Sequence, residues 1–214
     1  MPQRLPPMRP AYQGGAVSLD VVQQIQDLFG QHGSRVHDLD WPGPVTMQEH
    51  ALQCAQLAEW SQAPPALVAA GLLHDIGHLL ALSLPSRSEE DDAHELRALG
   101  LLGTAFGRDV LEPIRLHVQA KRYLVAMDEQ YRRRLSRASL ASLARQGGPM
   151  SAGEAQAFEE LQWAGQAVAL RRWDDGALTC GKRTAPLSYY LDLLETLRNP
   201  PSGSRTPMGP PDIS

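Results

Sequence analysis

The chain has 214 residues, 43% of them hydrophobic, which is enough to bury one sizeable core and predicts a single folded domain. Its formal net charge of −4 gives it no general attraction for nucleic acid. Two cysteines exclude a disulfide scaffold. We find no secretory signal pattern and no bilayer-length apolar run, so the expectation is a cytoplasmic protein that does not enter the membrane.

Proline and glycine are concentrated at the two ends of the chain. Residues 1–17 predict a flexible N-terminal arm, and residues 199–214 predict a disordered C-terminal tail, because such a composition cannot pack a core. Residues 18–198 between them form the predicted domain.

The first predicted helix runs from Leu19 to Phe29, with Ser18 as its N-cap and Gly30 at its end. A loop rich in turn-forming residues follows over residues 31–45. Thr46 then caps a second helix, in which Glu49 stands at the position that closes a capping box and His50 follows one residue later. This helix is predicted to end near Trp60.

Pro64 and Pro65 begin a third helix, which is apolar from Ala66 to Leu82 and is therefore predicted to lie at the centre of the fold. Gly107 is predicted to end one of the later helices, before the next one begins. No segment shows sustained strand alternation, so the predicted fold class is all-α. Six further helices are predicted, over residues 93–106, 109–123, 136–145, 151–161, 166–174 and 187–197.

His74 and Asp75 stand side by side in the apolar third helix. An imidazole and a carboxylate together suit a divalent metal of intermediate hardness, and the two oxygens of one carboxylate can bridge two ions. A single histidine on an apolar face is more often a core residue, but several separate helices here each carry one imidazole or carboxylate. These further candidates are His50, His94, His117 and either Asp174 or Asp175.

His50, the His74–Asp75 pair and a distal aspartate make the chain resemble the HD-domain superfamily, whose members are helical, metal-dependent and mostly phosphohydrolases. His94 and His117 resemble the additional ligands of its two-metal branch. The resemblance implies an HD-domain helical bundle. It also implies one ion held by His50, His74, Asp75 and Asp174, and a second held by Asp75, His94 and His117.

Five runs carry a narrower resemblance, at residues 49–53, 72–79, 115–124, 146–151 and 170–175. They are similar to the HD-domain mixed-valent di-iron oxygenases of phosphonate catabolism, relatives of myo-inositol oxygenase. The resemblance implies two iron ions, Fe(II) and Fe(III), and cleavage by O2 of the carbon–phosphorus bond of a 1-hydroxylated organophosphonate with release of phosphate. The implied partners are this small anionic substrate and O2, and a homodimer is one assembly that the resemblance allows.

The same resemblance implies a substrate site, with Asp75, His78 and Lys121 as catalytic residues. Lys121 lies one helical turn after His117, so helical spacing carries its ammonium toward the metals. Ser139 and Ser142, which belong to the phosphonate-binding set, are equally well interpreted as residues of a helix surface. The implied phosphonate-binding residues are His78, Lys121, Ser139, Ser142, Gln146 and Arg171.

One loop departs from the family pattern. The family usually has Tyr and Glu ten and seven residues before the first ligand histidine, and this chain has Asp40 and Gly43 there. Because the Glu helps to shape the end of the site that receives the amino group, we predict a preferred substrate without a cationic amine.

Two other functions fit part of the pattern. One is an HD phosphohydrolase, in which a metal activates water against a small phosphate ester. The other is a regulatory module that senses an anion.

The sequence of residues 176–183 is similar to a phosphate-binding loop, but it lacks the Ser or Thr of such a loop and follows no strand, so we do not predict a nucleotide site there. Cys54 is expected to be a small buried hydrophobic residue.

Overall fold

A computed structural model describes residues 20–37, 43–83 and 94–199 of the chain. Within these ranges the protein is a bundle of eleven helices, and its only β pairing is a single bridge between Val36 and Thr46. The all-α prediction is confirmed. The helices are α1 (Val21–His32), α2 (Met47–Trp60), α3 (Pro65–Leu73), α4 (Ile76–Ser83), α5 (His94–Leu102), α6 (Arg108–Met127), α7 (Glu129–Arg134), α8 (Arg137–Arg145), α9 (Ala152–Glu159), α10 (Ala164–Gly176) and α11 (Leu187–Leu197).

Helix α1 does not end at Gly30 as predicted but continues to His32. A glycine inside a helix costs only about 1 kcal/mol. The buried side chains of Ile25 and Phe29 stabilise the helix by roughly 1.5–3 kcal/mol each, which outweighs that cost. The N-cap is Asp20, whose carboxylate accepts a hydrogen bond from the Val22 N–H. The predicted cap, the N-terminal arm and the tail beyond residue 199 lie outside the described residues.

The predicted central helix is two helices, α3 and α4, and His74 and Asp75 form the turn between them. Side chains of adjacent residues on a regular helix diverge by about 100°, so an unbroken helix would point this pair in different directions. The turn allows both side chains to face the same region. After Pro65, every residue of α3 is buried, which confirms the central position predicted for this helix.

The polar signals at the helix ends were reliable. Both groups of the predicted capping box at Thr46 and Glu49 are in place, and Ser151 and Glu154 form a second box at the start of α9. Helix α11 has the predicted bounds. One helix was missed, because α7 consists entirely of polar residues apart from the buried Tyr131.

The core surrounds α3. Helices α2, α6, α10 and α11 all contact it, while α4 packs against α5 and α1. The 19-residue stretch Pro65–Ser83 is long and apolar enough to cross a membrane, but 72% of it is buried inside the protein. We therefore assign this stretch to the hydrophobic core. This arrangement brings one end of α3 toward the sides of α2, α6 and α10 and toward the start of α5.

Candidate metal centre

The side chains predicted as metal ligands converge at the turn between α3 and α4. His50 comes from α2, His117 from the middle of α6 and Asp174 from the end of α10, while His94 is the first residue of α5. The four histidines and Asp174 are buried, the imidazoles of His50 and His74 are completely inaccessible, and the Asp75 side chain is 12% exposed. Each of the four helices contributes one ligating group, and the turn contributes two.

Three of these residues surround one side of the Asp75 carboxylate, and we call them the His50 group: His50, His74 and Asp174. His50 Nε2 lies 3.4 Å from His74 Nε2, 3.3 Å from Asp174 Oδ1 and 3.7 Å from Asp75 Oδ2. His74 Nε2 lies 3.7 Å from Asp174 Oδ1 and 3.6 Å from Asp75 Oδ1. Four ligating groups, with Asp75 included, therefore face one small volume.

The His94 group consists of His94 and His117 and approaches Asp75 from another direction. His94 Nε2 lies 3.0 Å from His117 Nε2 and 3.4 Å from Asp75 Oδ1. Asp75 is thus close to both groups, and His50 and His94 approach different oxygens of its carboxylate. One carboxylate between two groups of imidazoles is the arrangement that can hold two ions.

These distances fit metal coordination. Nitrogen and oxygen ligands bind first-row metals at about 2.1 Å, so adjacent ligands of one ion lie roughly 3.0–3.4 Å apart. Ligating histidines also usually donate their second N–H to a carbonyl or carboxylate, which fixes the ring. Three rings place Nδ1 near a helix or loop carbonyl oxygen: His50 at 3.2 Å from Ala177, His74 at 2.9 Å from Gly71 and His117 at 2.6 Å from Ile114.

The charges of the site also suit a cation. Burial alone would raise the pKa of both carboxyls, but His74 lowers that of Asp75 and Arg171 lowers that of Asp174, so both pKa values lie well below their usual range. Burial opposes a charge on His74 as well, yet the two carboxylates raise its pKa to about 9. Burial lowers the pKa of His117 well below its usual value, which keeps this ring in the neutral form that a metal needs.

Gly77 explains how His94 comes so close to the turn. A Cβ atom at this position would lie 1.8 Å from the carbonyl oxygen of His94, far inside contact distance. Glycine therefore permits the backbone of α4 to meet the start of α5 directly.

A cavity of about 560 Å³ opens beside the His94 group. His94, His117 and Asp75 line it, whereas His50 and His74 are not among its lining residues. Its other walls carry the side chains predicted to bind substrate, namely His78, Lys121, Ser139, Ser142, Gln146 and Arg171.

Lys121 also lines this cavity, one helical turn after His117 on α6. It is 3% exposed, and its ammonium donates hydrogen bonds to Ser142 Oγ and to Gln146 Oε1, the latter at 3.0 Å. These two neutral partners come from α8 and its C-cap. The lining of the cavity therefore combines ligating imidazoles with a buried cation among hydrogen-bonding groups.

Arg171 bridges the two neighbouring aspartates of α10. Its Nη1 donates to Asp174 Oδ2 at 2.8 Å, and its Nε and Nη2 donate to Asp175. Tyr131 donates to Asp175 Oδ2 at 2.6 Å and accepts from Arg171 Nε at 3.2 Å. Asp174 thus faces the histidines while Asp175 holds the guanidinium, which supports the prediction of Asp174 as the ligand.

Comparison of the chain with known proteins identifies its family. No protein-family model matches the chain. It is 42% identical over 178 residues to the hydroxymethylphosphonate dioxygenase of Gimesia maris, covering 82% of this chain and 87% of that protein. It is 35% identical over 181 residues to the glycine-betaine-forming 1-hydroxy-2-(trimethylamino)ethylphosphonate dioxygenase of Leisingera caerulea, covering 83% and 90%.

The chain belongs to the phosphonate dioxygenase family. It is accordingly an oxygenase, and the resemblance drawn from its motifs is confirmed. The identity of the metals and the role of each residue in this phosphonate dioxygenase stay predictions.

His78 stacks on His94 at 4.0 Å between ring centroids, and its Nε2 lies 3.9 Å from Asp75 Oδ1, so it lies beside the His94 group. Gly43 has a φ of +111°, and a Cβ there would lie 3.0 Å from the Cβ of Cys180. Asp40, the other position at which this phosphonate dioxygenase departs from the family, lies outside the described residues.

Sequence reasoning missed three residues near the cavity: His37, Tyr131 and Arg145. His37 and Arg145 line the cavity, and Tyr131 binds Arg171. His37 and Tyr131 follow no helical spacing from the metal motif. Cys54 is completely buried, and burial raises the pKa of its thiol well above the usual value, in agreement with a structural role in this phosphonate dioxygenase.

Proposed function

We propose that this protein is a di-iron oxygenase that uses O2 to cleave the carbon–phosphorus bond of hydroxymethylphosphonate, releasing phosphate. The observation that carries the proposal is the position of Asp75, with imidazoles of the His50 and His94 groups near its two oxygens and a cavity that leads to Lys121. The balanced reaction consumes one O2 per substrate and yields formate and phosphate, so it needs no external reductant.

Six residues of the site suit two irons. His50, His74, Asp174 and Asp75 would hold one ion, and His94, His117 and the same Asp75 would hold the other. When bound, the pair supplies Lewis-acid binding of the substrate oxygens and the electrons for O2 activation. Imidazole and carboxylate ligands suit iron of intermediate hardness, and the hydrogen-bonded Nδ1 atoms fix the orientation of the rings.

The remaining residues bind and orient the substrate. Lys121 provides a point charge for the phosphonate, and the hydroxyl of Ser142 and the amide of Gln146 provide further hydrogen bonds to its oxygens. Arg171 has N–H groups in excess of those bound to the two aspartates, and its fork suits a tetrahedral oxyanion. We infer that the phosphonate lies between these groups and the His94 group, with the hydroxymethyl carbon on the metal side.

The cavity also supports a small substrate without an amine. The carboxylates among its described lining residues are Asp75, Asp174 and Asp175, and each is already close to histidine or bound to arginine. The described lining offers no Tyr, Trp or Phe ring for a trimethylammonium group. Hydroxymethylphosphonate, which the Gimesia maris relative is named for, has no cationic end.

A substrate panel tests the proposal. The iron-loaded protein is incubated aerobically with hydroxymethylphosphonate, 2-amino-1-hydroxyethylphosphonate and 1-hydroxy-2-(trimethylamino)ethylphosphonate, and phosphate release and O2 uptake are measured together. We expect equal amounts of both with hydroxymethylphosphonate and much slower turnover of the other two. Strict dependence on an amine-bearing substrate would contradict the substrate assignment, and turnover of phosphate esters without O2 would contradict the reaction class.

A further inference from the structure

His37 is a seventh residue at the metal centre, and no spacing rule in the sequence points to it. It lies in the loop before α2, where the backbone is pinned to the start of that helix. The His37 N–H donates to the Val45 carbonyl at 2.8 Å, and the neighbouring Val36 pairs with Thr46 in the single β-bridge. The backbone at His37 is therefore fixed beside Val45 and Thr46, immediately before the helix that carries His50.

The imidazole of His37 is stacked on that of His50, with ring centroids 3.9 Å apart and planes 19° apart. Its Nε2 lies 3.1 Å from Asp75 Oδ2, the shortest distance from any of the described histidines to this carboxylate. His37, His50 and Asp75 each place a ligating atom within 4.8 Å of the others. A separation of about 3 Å is what two adjacent ligands of one octahedral ion have.

His37 differs from the ligands of the predicted set in one respect. The Nδ1 atoms of His50, His74 and His117 each lie near a carbonyl oxygen, whereas His37 Nδ1 is buried without a hydrogen-bond partner among the described residues. A ligating histidine is normally oriented through this second nitrogen. His37 is thus near the metal centre but less firmly held than its neighbours. Because an ion lies near the plane of each imidazole that binds it, the His37 ring must turn out of its stack on His50 before both rings can bind the same ion.

We propose that His37 is an additional and exchangeable imidazole ligand of the ion bound by the His50 group. This inference rests on the two-metal centre proposed above. It gives that ion five protein ligands, namely His37, His50, His74, Asp75 and Asp174, and leaves one position of an octahedron for a small molecule. His78 holds the equivalent stacked position on His94, but its Nε2 is 3.9 Å from the nearer oxygen of Asp75, so it is not proposed as a ligand.

Cobalt(II) binding to the full chain tests the proposal without reference to turnover, because the visible spectrum of cobalt reports its coordination geometry. His37→Ala and His37→Gln are compared with the wild type and with His32→Ala, whose ring contacts Ser83 away from the cavity. We expect two ions per chain in all four proteins. In both His37 variants one ion should bind about tenfold more weakly or worse, with a spectrum of lower coordination number that added imidazole restores.

The glutamine variant separates ligation from simple orientation of Asp75. Its amide N–H can replace a hydrogen bond to the carboxylate, but an amide is a poor substitute for an imidazole at a metal. A His37→Gln protein with the wild-type spectrum and affinity overturns the proposal. A wild-type chain that binds fewer than two ions would instead contradict the two-metal centre itself, so the two failures are distinguishable.

Discussion

The His50 group and the His94 group share Asp75 but differ in how fully the protein surrounds them. The His50 group has three residues besides Asp75, and two of them, His50 and His74, are completely buried away from the cavity lining. The His94 group has two residues besides Asp75, and both line the cavity. A metal site with few protein ligands and an open side is typical of substrate binding, whereas a filled site is more typical of a structural or electronic role.

Because of this difference, we expect the two groups to have different roles. We expect the substrate to bind on the His94 side, where the cavity leads to Lys121, and the ion of the His50 group to remain the more tightly bound. Because both groups share Asp75, we expect the binding of each ion to depend on the other. Four substitutions test whether the two groups differ in this way.

Asp75→Asn removes the charge that both ions share. Both should be lost or greatly weakened, and phosphate release from hydroxymethylphosphonate should fall by about a thousandfold or more, since Lewis-acid stabilisation contributes several kcal/mol and each 1.4 kcal/mol is a factor of ten. Metal content and phosphate release measure the change. Asp192→Asn, on the exposed face of α11, is the control and should behave as wild type. An Asp75→Asn protein with two tightly bound ions would contradict the bridging role.

Gly77→Ala should weaken metal binding at the His94 group only. The new methyl group would meet the His94 carbonyl at 1.8 Å, so α5 must move and the His94 group must open. Metal content should fall from two ions per chain toward one, and the free energy of unfolding should drop by about 1–3 kcal/mol through overpacking. Gly100→Ala in α5 has open space around the added atom and should keep both ions. Full metal content in Gly77→Ala would show that the close contact is not needed.

Lys121→Met tests the cationic part of the cavity lining. Removing a charge-assisted contact of roughly 1.5–3 kcal/mol should raise the KM for hydroxymethylphosphonate about 10- to 100-fold while both metals stay bound. Lys182→Met, in which the lost ammonium lies over the Trp60 ring, serves as the matched control. Loss of metal in the Lys121 variant, or an unchanged KM, would count against a substrate-binding role.

Tyr131→Phe should have the smallest effect. It removes one hydrogen bond to Asp175 and one from Arg171, so the guanidinium is less firmly positioned. About 1 kcal/mol corresponds to a KM increase of roughly fivefold, with kcat and metal content unchanged. Tyr123→Phe, which loses a hydrogen bond to Glu159 at the surface, is the control. A fall in kcat without a change in KM would argue against positioning of the substrate.

Much of this centre could be predicted because its residues lie in strongly patterned helices. His50, His94 and His117 occur in predicted helices, and the capping box at Thr46 fixed the start of α2 correctly. These signals are local, since a cap or an apolar spacing is read within a few residues. The all-α fold followed from the same periodicity.

The parts that could not be predicted depend on contacts between distant segments. The apolar run through His74 gives no local sign of a break, and the turn there accompanies the packing of Gly77 against α5. His37 reaches Asp75 because the loop is pinned by a bridge to α2, which no spacing rule indicates. The distinct surroundings of Asp174 and Asp175 likewise arise from Arg171 and from Tyr131 on a helix that was missed.

A crystal structure of the iron-loaded protein, with anomalous scattering measured at the iron absorption edge, tests the two-metal centre most directly. We expect two anomalous peaks, one bound by Asp75 with His50, His74 and Asp174, and one bound by Asp75 with His94 and His117. A single peak, or a peak bound by only one of the two groups in fully loaded protein, would contradict this expectation.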